Sequence, residues 1–462
     1  MSLAPTTISE ITSKYNAQSE FFRSGKTRSI DFRIQSLEQL KSTVKNHESE
    51  IMGALKQDLG KSQFEAYTSE VGFIYEEINH TVKHLRKWAK GYKVSTPLIL
   101  QPTSSKVVYQ PKGLTLVISP WNYPFQLCLA PVIGSVAAGN CVVIKASEFA
   151  TATEAIVAKI VKAAFAPEFV TTVEGGGPET TKLLEQKWNH IFFTGSTAVG
   201  RIVSKAAVAD LTPLTLELGG KSPCIVDKDT DIKVSARRIV WGKFYNTGQT
   251  CVAPDYLLVH QDIKSEIIAE MQRAIEDFYG ENPIESPDYG RIISDKHFER
   301  LISLIEGDVI VGGIHDKSKR YIAPTLIDNV SMSDSIMQDE IFGPLLPILF
   351  YRTLEEAFEM VNQHPNPLAC YVFTNDSKIE RRVEEEISFG GGCVNNVLVH
   401  LTNPNLPFGG IGTSGMGSYH GLDSFKTFSH RKAIAKTSFW LDLKLKYPPY
   451  KNRVDLIKKL MR

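Results

Sequence analysis

No stretch of this 462-residue chain approaches the roughly eighteen consecutive apolar residues that a membrane-spanning helix needs. Residues 1–14 are polar and carry no apolar core of a secretory signal. Cysteine is sparse and scattered: Cys128, Cys141, Cys224, Cys251, Cys370 and Cys393 form no C-x-x-C and join no cysteine and histidine cluster at metal-ligand spacing. That argues against a disulfide scaffold and against a zinc site, and no metal is expected. Charge of one sign is missing too. With 52 basic and 51 acidic residues the net charge is +1, which leaves no electrostatic case for nucleic acid as the main partner. Short-period repeats and low-complexity segments are absent. These absences together predict a globular protein of a reducing compartment, cytoplasmic, with no integral membrane segment.

What is present is a 42% hydrophobic composition, ample for several cores, and a length that suggests two or three domains. Over 31–59, Ile34, Leu37, Leu40, Val44, Ile51 and Leu55 recur at helical spacing, which predicts one amphipathic helix or a broken pair. A second such pattern covers 71–88, and 92–100 reads as an extended connecting arm. From 107 to 226 short apolar runs (114–118, 141–144, 170–173, 191–194 and 223–226) alternate with helical stretches, the pattern of a doubly wound parallel sheet that binds ligands at the carboxyl ends of its strands. A second alternation follows, with strands expected at 256–259, 309–311, 346–350 and 369–373, and helices at 263–279, 297–306, 353–362 and 377–387. The segment 443–462 is locally basic, with Lys444, Lys446, Lys451, Arg453, Lys458, Lys459 and Arg462 against Asp455; it fits a solvated tail or a weak peripheral hold on anionic lipid.

Several stretches could carry chemistry. Asn246-Thr-Gly-Gln-Thr-Cys251 sets a cysteine after a glycine and polar residues, where backbone amides can converge on a thiolate nucleophile; the alternative is a small buried hydrophobe. Glu217-Leu-Gly-Gly-Lys221 places a carboxylate in an apolar setting, where burial would raise its pKa toward that of a general base, unless it is merely solvated in a turn. In Pro120-Trp-Asn-Tyr-Pro124, after a strand, the Asn122 amide could donate to an oxyanion or the segment could be only a turn with an aromatic plug. Gly195 and Ser196 follow a strand where small residues and helix N-terminal amides suit a pyrophosphate, although G-x-G-x-x-G is absent and a plain glycine turn fits as well. Lys145 and Glu148 leave another strand end, as ribose ligands or as a surface ion pair.

Taken in order, Pro120-Trp-Asn-Tyr-Pro124, Lys145-Ala-Ser-Glu148, Phe193-Thr-Gly-Ser-Thr197, Glu217-Leu-Gly-Gly-Lys221, Gly248-Gln-Thr-Cys251, Glu340-Ile-Phe-Gly-Pro344 and Leu406-Pro-Phe-Gly-Gly410 resemble the aldehyde dehydrogenase superfamily across essentially the whole chain. Gly415-Met-Gly-Ser-Tyr-His-Gly421, Phe425-Lys-Thr-Phe-Ser-His-Arg431 and Lys446-Tyr-Pro-Pro-Tyr450 resemble its class 3 group, which includes fatty-aldehyde enzymes. One departure is Ala146, where the family usually has proline.

The resemblance implies an α/β fold of two doubly wound domains, one Rossmann-like and NAD-binding and one catalytic, plus a bridging arm. The dinucleotide-binding domain would take 1–90 and 110–218, the catalytic domain 219–395, and the bridging element and tail 91–109 and 396–462. It implies NAD(P)-dependent oxidation of medium- or long-chain aliphatic or aromatic aldehydes to acids. Cys251 would be the nucleophile, Asn122 an oxyanion donor and Glu217 the base. Glu340 would hold the nicotinamide ribose, Lys145 and Glu148 the adenosine ribose, and Gly195 and Ser196 the pyrophosphate, with Trp121 and Phe342 beside the cofactor. NAD is favoured by Glu148, with NADP as the alternative. His420 would lie near the substrate mouth without an assigned role. A homodimer formed through the arm is expected. A coenzyme-A-acylating enzyme would lack the Glu217 carboxylate, and a non-catalytic binding protein on this fold would lose Cys251, Glu217 or Asn122; all three are present.

Overall fold

The computed structural model describes residues 3–442, 444–450 and 453–461. Met1 at the polar start, and Leu443, Lys451 and Arg462 of the basic tail, lie outside the described residues.

Near-continuous apolar runs form strands buried on both faces, since only a parallel sheet covered by helices on each side removes every side chain from water. The first sheet has six strands in the spatial order Gly415–Met416, Leu214–Glu217, His190–Thr194, Leu114–Ile118, Cys141–Lys145, Val170–Thr172, all parallel except Gly415–Met416. The second has seven: Asp308–Val311, Thr325–Asp328, Leu345–Tyr351, Tyr256–His260, Pro223–Val226, Ala369–Phe373, Gly391–Val394, parallel except Asp308–Val311. Helices Ile30–Asn46, Gly72–Ala89, Gln126–Ala138 and Thr151–Ala164 share one apolar core with the first sheet, through Leu37, Ile78, Ile133 and Val157 against Val117, Val142 and Ile144.

Two sequence expectations need correction, and two open alternatives are resolved. The run 223–226 does not extend the first sheet: Pro223–Val226 pairs with Tyr256–His260 and Ala369–Phe373 in the second. An apolar tetrapeptide carries no record of which sheet it joins; the chain crosses between the sheets over Leu218 to Ser222. The strand that does extend the first sheet is Leu214–Glu217, so Glu217 ends a strand rather than sitting in a turn. Within 92–100 only Tyr92–Val94 is a strand, and Leu98–Leu100 is a 3-10 turn. The pattern over 31–59 resolves as a broken pair, Ile30–Asn46 and Glu48–Leu59, parted at His47.

Tyr92–Val94, Thr103–Pro111 and Ser429–Thr437 form a separate three-stranded antiparallel sheet. Its edge strand Ser429–Thr437 is exposed along most of its length. The basic tail ends in an eight-residue helix, Val454–Met461.

Candidate active site

A cavity of about 700 Å³ lies between the carboxyl ends of the first sheet and the amino ends of the second. On one side Trp121, Asn122, Gly195, Ser196 and Glu217 leave strands Leu114–Ile118, His190–Thr194 and Leu214–Glu217; on the other, Lys221, Cys251, Glu340 and Phe342 precede strands of the second sheet. Parallel strands gather their following loops at one edge and their preceding segments at the other, which is why residues remote in sequence meet where the two sheets face each other.

Cys251 is presented by a strained loop. After helix Ile232–Phe244, Asn246 (φ 51°) and Thr247 (φ 55°) both adopt left-handed backbone, at a cost of order 1–3 kcal/mol each for non-glycine residues. Gly248 continues at φ 72°, and a Cβ there would stand 2.2 Å from the Gly343 carbonyl oxygen. Side-chain amides hold the loop. Asn246 Nδ2 donates to the carbonyls of Asn122 (2.9 Å) and Gln249 (3.0 Å), and Gln249 Nε2 donates to those of Asn246 (3.1 Å) and Arg291 (3.0 Å). Ile293 N–H donates to Gln249 Oε1 at 3.0 Å. Cys128, Cys141, Cys224 and Cys370 are fully buried, whereas Cys251 reaches the cavity.

Asn122 is buried, and its Nδ2 donates to Gln249 O at 3.0 Å. An amide nitrogen carries two hydrogens, so a second remains for a ligand oxygen beside the thiol. The neighbouring Tyr123 hydroxyl pairs with Thr250 Oγ1 at 2.6 Å, tying the Asn122 turn to the residue before the cysteine.

Glu217, 2% exposed, has no hydrogen-bond partner on either carboxylate oxygen. Burial alone pushes its carboxyl well above the usual range. Glu340 is also pushed up, to about 8, by burial and then by Asp255, against the opposing Gly220 N–H. Its Oε2 lies 2.0 Å from where a Cβ on Gly219 would be, so a side chain there would displace the carboxylate from this position, while Oε1 is buried without a partner. The segment that carries Glu340 is pinned from below: Lys221 Nζ donates to Asp255 Oδ2 (2.6 Å) and to the carbonyls of Ile336 (3.0 Å) and Asp339 (2.9 Å), and Ile341 N–H donates to Asp255 Oδ1 (3.0 Å). The Cys251 thiol is raised by burial and then by Glu340 and Glu217, while the N–H groups of Cys251 and Val252 act in the opposite direction. Burial raises all three groups, and the two carboxyls add to the rise at the thiol, a concentration of shifted acids typical of a functional site.

Features of the cavity suit a dinucleotide. Ser196 caps helix Thr197–Val208, whose free N–H groups favour an anion; Glu340 Oε1 is an acceptor awaiting a donor; Trp121 and Phe342 meet edge to face at 5.3 Å. Among the expected ribose ligands, Lys145 and Glu148 stand outside the lining, at the next strand end. Lys145 is buried, donating to Ala146 O (2.5 Å) and to the half-exposed Glu148 (3.4 Å). Among the described residues no group of three or more His, Cys, Asp and Glu could hold a metal ion.

Sequence reasoning missed Arg201, His297 and Arg300, which line the cavity, and Lys221 and Asp255 as a buried pair. The His297 ring stands 4.8 Å from that of Trp121. His297 and Arg300 share a helix face at i, i+3, but nothing local says that this face meets a cavity.

Comparison with known proteins places the chain among relatives of one kind. The model of the aldehyde dehydrogenase family matches residues 4–434. The chain is 46% identical over 451 residues to the 4,4'-diaponeurosporen-aldehyde dehydrogenase of Staphylococcus aureus (strain NCTC 8325 / PS 47), covering 97% of this chain and 98% of that one. It is 47% identical over 445 residues to the dimeric NADP-preferring aldehyde dehydrogenase of Rattus norvegicus, covering 96% and 98%. A solved structure of the substrate-bound state of Staphylococcus aureus AldH superposes with a TM-score of 0.96 at 45% identity, over 98% of this chain and 99% of that one.

Proposed function

The chain belongs to the aldehyde dehydrogenase family, and on that premise we propose that Cys251, Asn122 and Glu217 are the residues with which it oxidises aldehydes to carboxylic acids. The observation that carries this assignment is their convergence, from two loops and a strand end, on one cavity in which Glu217 is a buried carboxylate without donors.

The chemistry follows from what each group can do. Cys251, as thiolate, adds to the aldehyde carbon and forms a C–S bond, leaving a thiohemiacetal alkoxide. The free N–H of Asn122 and the backbone N–H of Cys251 donate to that oxygen as its charge develops. NAD, or NADP, supplies when bound the acceptor for the hydride that leaves carbon. The resulting thioester is opened by water, whose proton Glu217 takes as base, and the acid departs with the Cys251 thiol restored. Glu340, with its unpartnered oxygen, would hold the nicotinamide ribose, Gly195 and Ser196 the pyrophosphate, Trp121 and Phe342 the sides of the cofactor, and Lys145 with Glu148 the adenosine ribose. Glu148 favours NAD by repelling an added 2′-phosphate; the rat relative is NADP-preferring, which keeps NADP as the alternative.

We assign 1–90 and 110–218 to dinucleotide binding, 219–395 to catalysis, and 91–109 with 396–462 to bridging and the tail. A homodimer through the bridging sheet is supported by its exposed edge strand and by the dimeric rat relative. No described helix is long and apolar enough to cross a membrane. The proposed location is the cytoplasm, with at most a weak peripheral contact of the basic tail with lipid. Medium- or long-chain aliphatic and aromatic aldehydes are the proposed substrates; the name of the Staphylococcus aureus relative also specifies an aldehyde, 4,4'-diaponeurosporen-aldehyde.

The test is NADH or NADPH formation from hexanal, decanal and benzaldehyde with both cofactors side by side. Turnover that survives Cys251→Ala would sink the assignment, and turnover that requires coenzyme A would replace water with a thiol acceptor.

A further inference from the structure

Behind both the Asn122 turn and the Cys251 loop runs segment 61–71, and we propose that its buried Lys61, Glu65 and Glu70 form a positioning cluster that sets the two oxyanion donors at their working separation. The proposal rests on the roles assigned above to Asn122 and Cys251.

The segment begins after Gly60 ends helix Glu48–Leu59, continues as the short helix Gln63–Ala66 and widens into a π turn, Tyr67–Val71, in which Gly72 N–H reaches back to Tyr67 O. A π turn brings residues five apart toward a common face and occurs frequently at functional sites. Here it turns both Glu65 and Glu70 inward, at 6% and 0% exposure.

Each charged group ends on the catalytic machinery. The Glu70 carboxylate accepts the N–H groups of Phe125 and Gln126, both at 2.9 Å, at the start of helix Gln126–Ala138, where a negative charge meets the positive end of the helix dipole. Lys61 Nζ donates to Glu70 Oε1 (2.5 Å) and to the backbone carbonyl of Asn122 (3.1 Å), and stands 4.0 Å from the centre of the Tyr123 ring. Glu65 Oε1 accepts Asn246 N–H at 2.7 Å, at the entrance to the left-handed turn that presents Cys251. The circuit closes where Asn246 Nδ2 meets the same Asn122 carbonyl at 2.9 Å. The Asn122 carbonyl is thus fixed by two donors, which orients the side chain on the same residue. Every described hydrogen bond of the three charged groups ends within the cluster, on backbone 122–126, or on Asn246.

A buried ion pair contributes little net stability compared with well-packed apolar side chains. A stabilising role alone would not require its partners to be the Asn122 turn and the Cys251 loop. Two carboxylates and one ammonium instead define a fixed geometry, because each acceptor and donor is satisfied only in one arrangement.

The experiment combines Lys61→Met/Glu70→Gln, Glu65→Leu and Glu65→Gln with Asn122→Ala, and measures kcat and KM for benzaldehyde and for NAD per titrated active-site thiol. Asn122→Ala is expected to lower kcat by about 10²–10³. Lys61→Met/Glu70→Gln and Glu65→Leu are expected to lower kcat by about tenfold or more with the KM for NAD held within about twofold, since a small misplacement of a catalytic donor is costly. Glu65→Gln, which keeps an acceptor for Asn246 N–H, should recover most of that loss. In the Asn122→Ala background the cluster substitutions should add less than about threefold, because residues acting through one group are not additive. Equal losses in both backgrounds, or full kcat in folded cluster variants, would overturn the proposal. If Glu65→Leu does not fold, the Lys61→Met/Glu70→Gln cycle decides alone. An Asn122→Ala enzyme with full activity would instead remove the oxyanion assignment itself.

Discussion

The side-chain amide of Asn122 donates to the carbonyl of Gln249 at 3.0 Å across 127 positions of sequence. Through that contact the turn after a strand of the first sheet is joined to the loop that delivers Cys251 to the second, so the oxyanion donors belong to one hydrogen-bonded unit. The polarity of this contact gives the first prediction. Asn122→Asp preserves shape but replaces a donor by a carboxylate facing a developing negative charge. It should lower kcat by at least the ~10²–10³ expected for loss of one oxyanion donor, with an unchanged circular dichroism spectrum. Wild-type turnover in Asn122→Asp would contradict the placement.

Glu217 has a carboxyl held well above its ordinary range by burial. It acts as base only when deprotonated, so thioester hydrolysis should speed up as pH rises through its folded value. Glu217→Gln should abolish that limb and leave a burst of one NADH per site followed by slow turnover, read by stopped-flow absorbance. A steady rate with the wild-type pH profile would exclude Glu217 as the base.

Cys251 is raised by burial, Glu340 and Glu217 in that order. Removing the second of these should ease ionisation. Glu340→Gln should therefore increase the rate of alkylation by iodoacetamide at pH 8, by about threefold for each unit of pKa recovered, since a less basic thiolate is also less nucleophilic. A slower reaction would mean that Glu340 does not act on the thiol through its charge.

Gly248 cannot accept a side chain: its φ is 72° and a Cβ would meet the Gly343 carbonyl oxygen at 2.2 Å, backbone against backbone. Gly248→Ala should destabilise the protein by about 1–3 kcal/mol and displace Cys251. Thermal unfolding and active-site thiol titration would both register it; a wild-type melting temperature would refute the strain argument.

Among the described strands, Ser429–Thr437 pairs only with Thr103–Pro111, so it forms an exposed sheet edge onto which a second copy could add a strand. Light scattering should give twice the 51.5 kDa chain mass at micromolar concentration. A monomer would remove the proposed dimer.

Much of this was legible in the sequence because it depends on neighbours in the chain. The apolar runs at Leu114, Cys141, Ile191 and Ala369 form strands wherever such runs can be covered on both faces, and each strand lies where its run predicts. Cys251, Asn122 and Glu217 were candidates by local context, each with a structural alternative, and the family resemblance of the ordered motifs gave them roles.

The allegiance of Pro223–Val226 to the second sheet and the strand position of Glu217 were decided by pairing partners distant in sequence, which a tetrapeptide cannot encode. The same holds for Lys61, Glu65 and Glu70, whose charges read locally as those of a solvated helix and are instead fully enclosed. The chain by itself determined its residue types, its strand and helix periods, and the order of its motifs. Only the tertiary structure decided which charges lose their water and which loops share one cavity. Both are long-range outcomes, set by what packs against a residue rather than by what adjoins it in the chain.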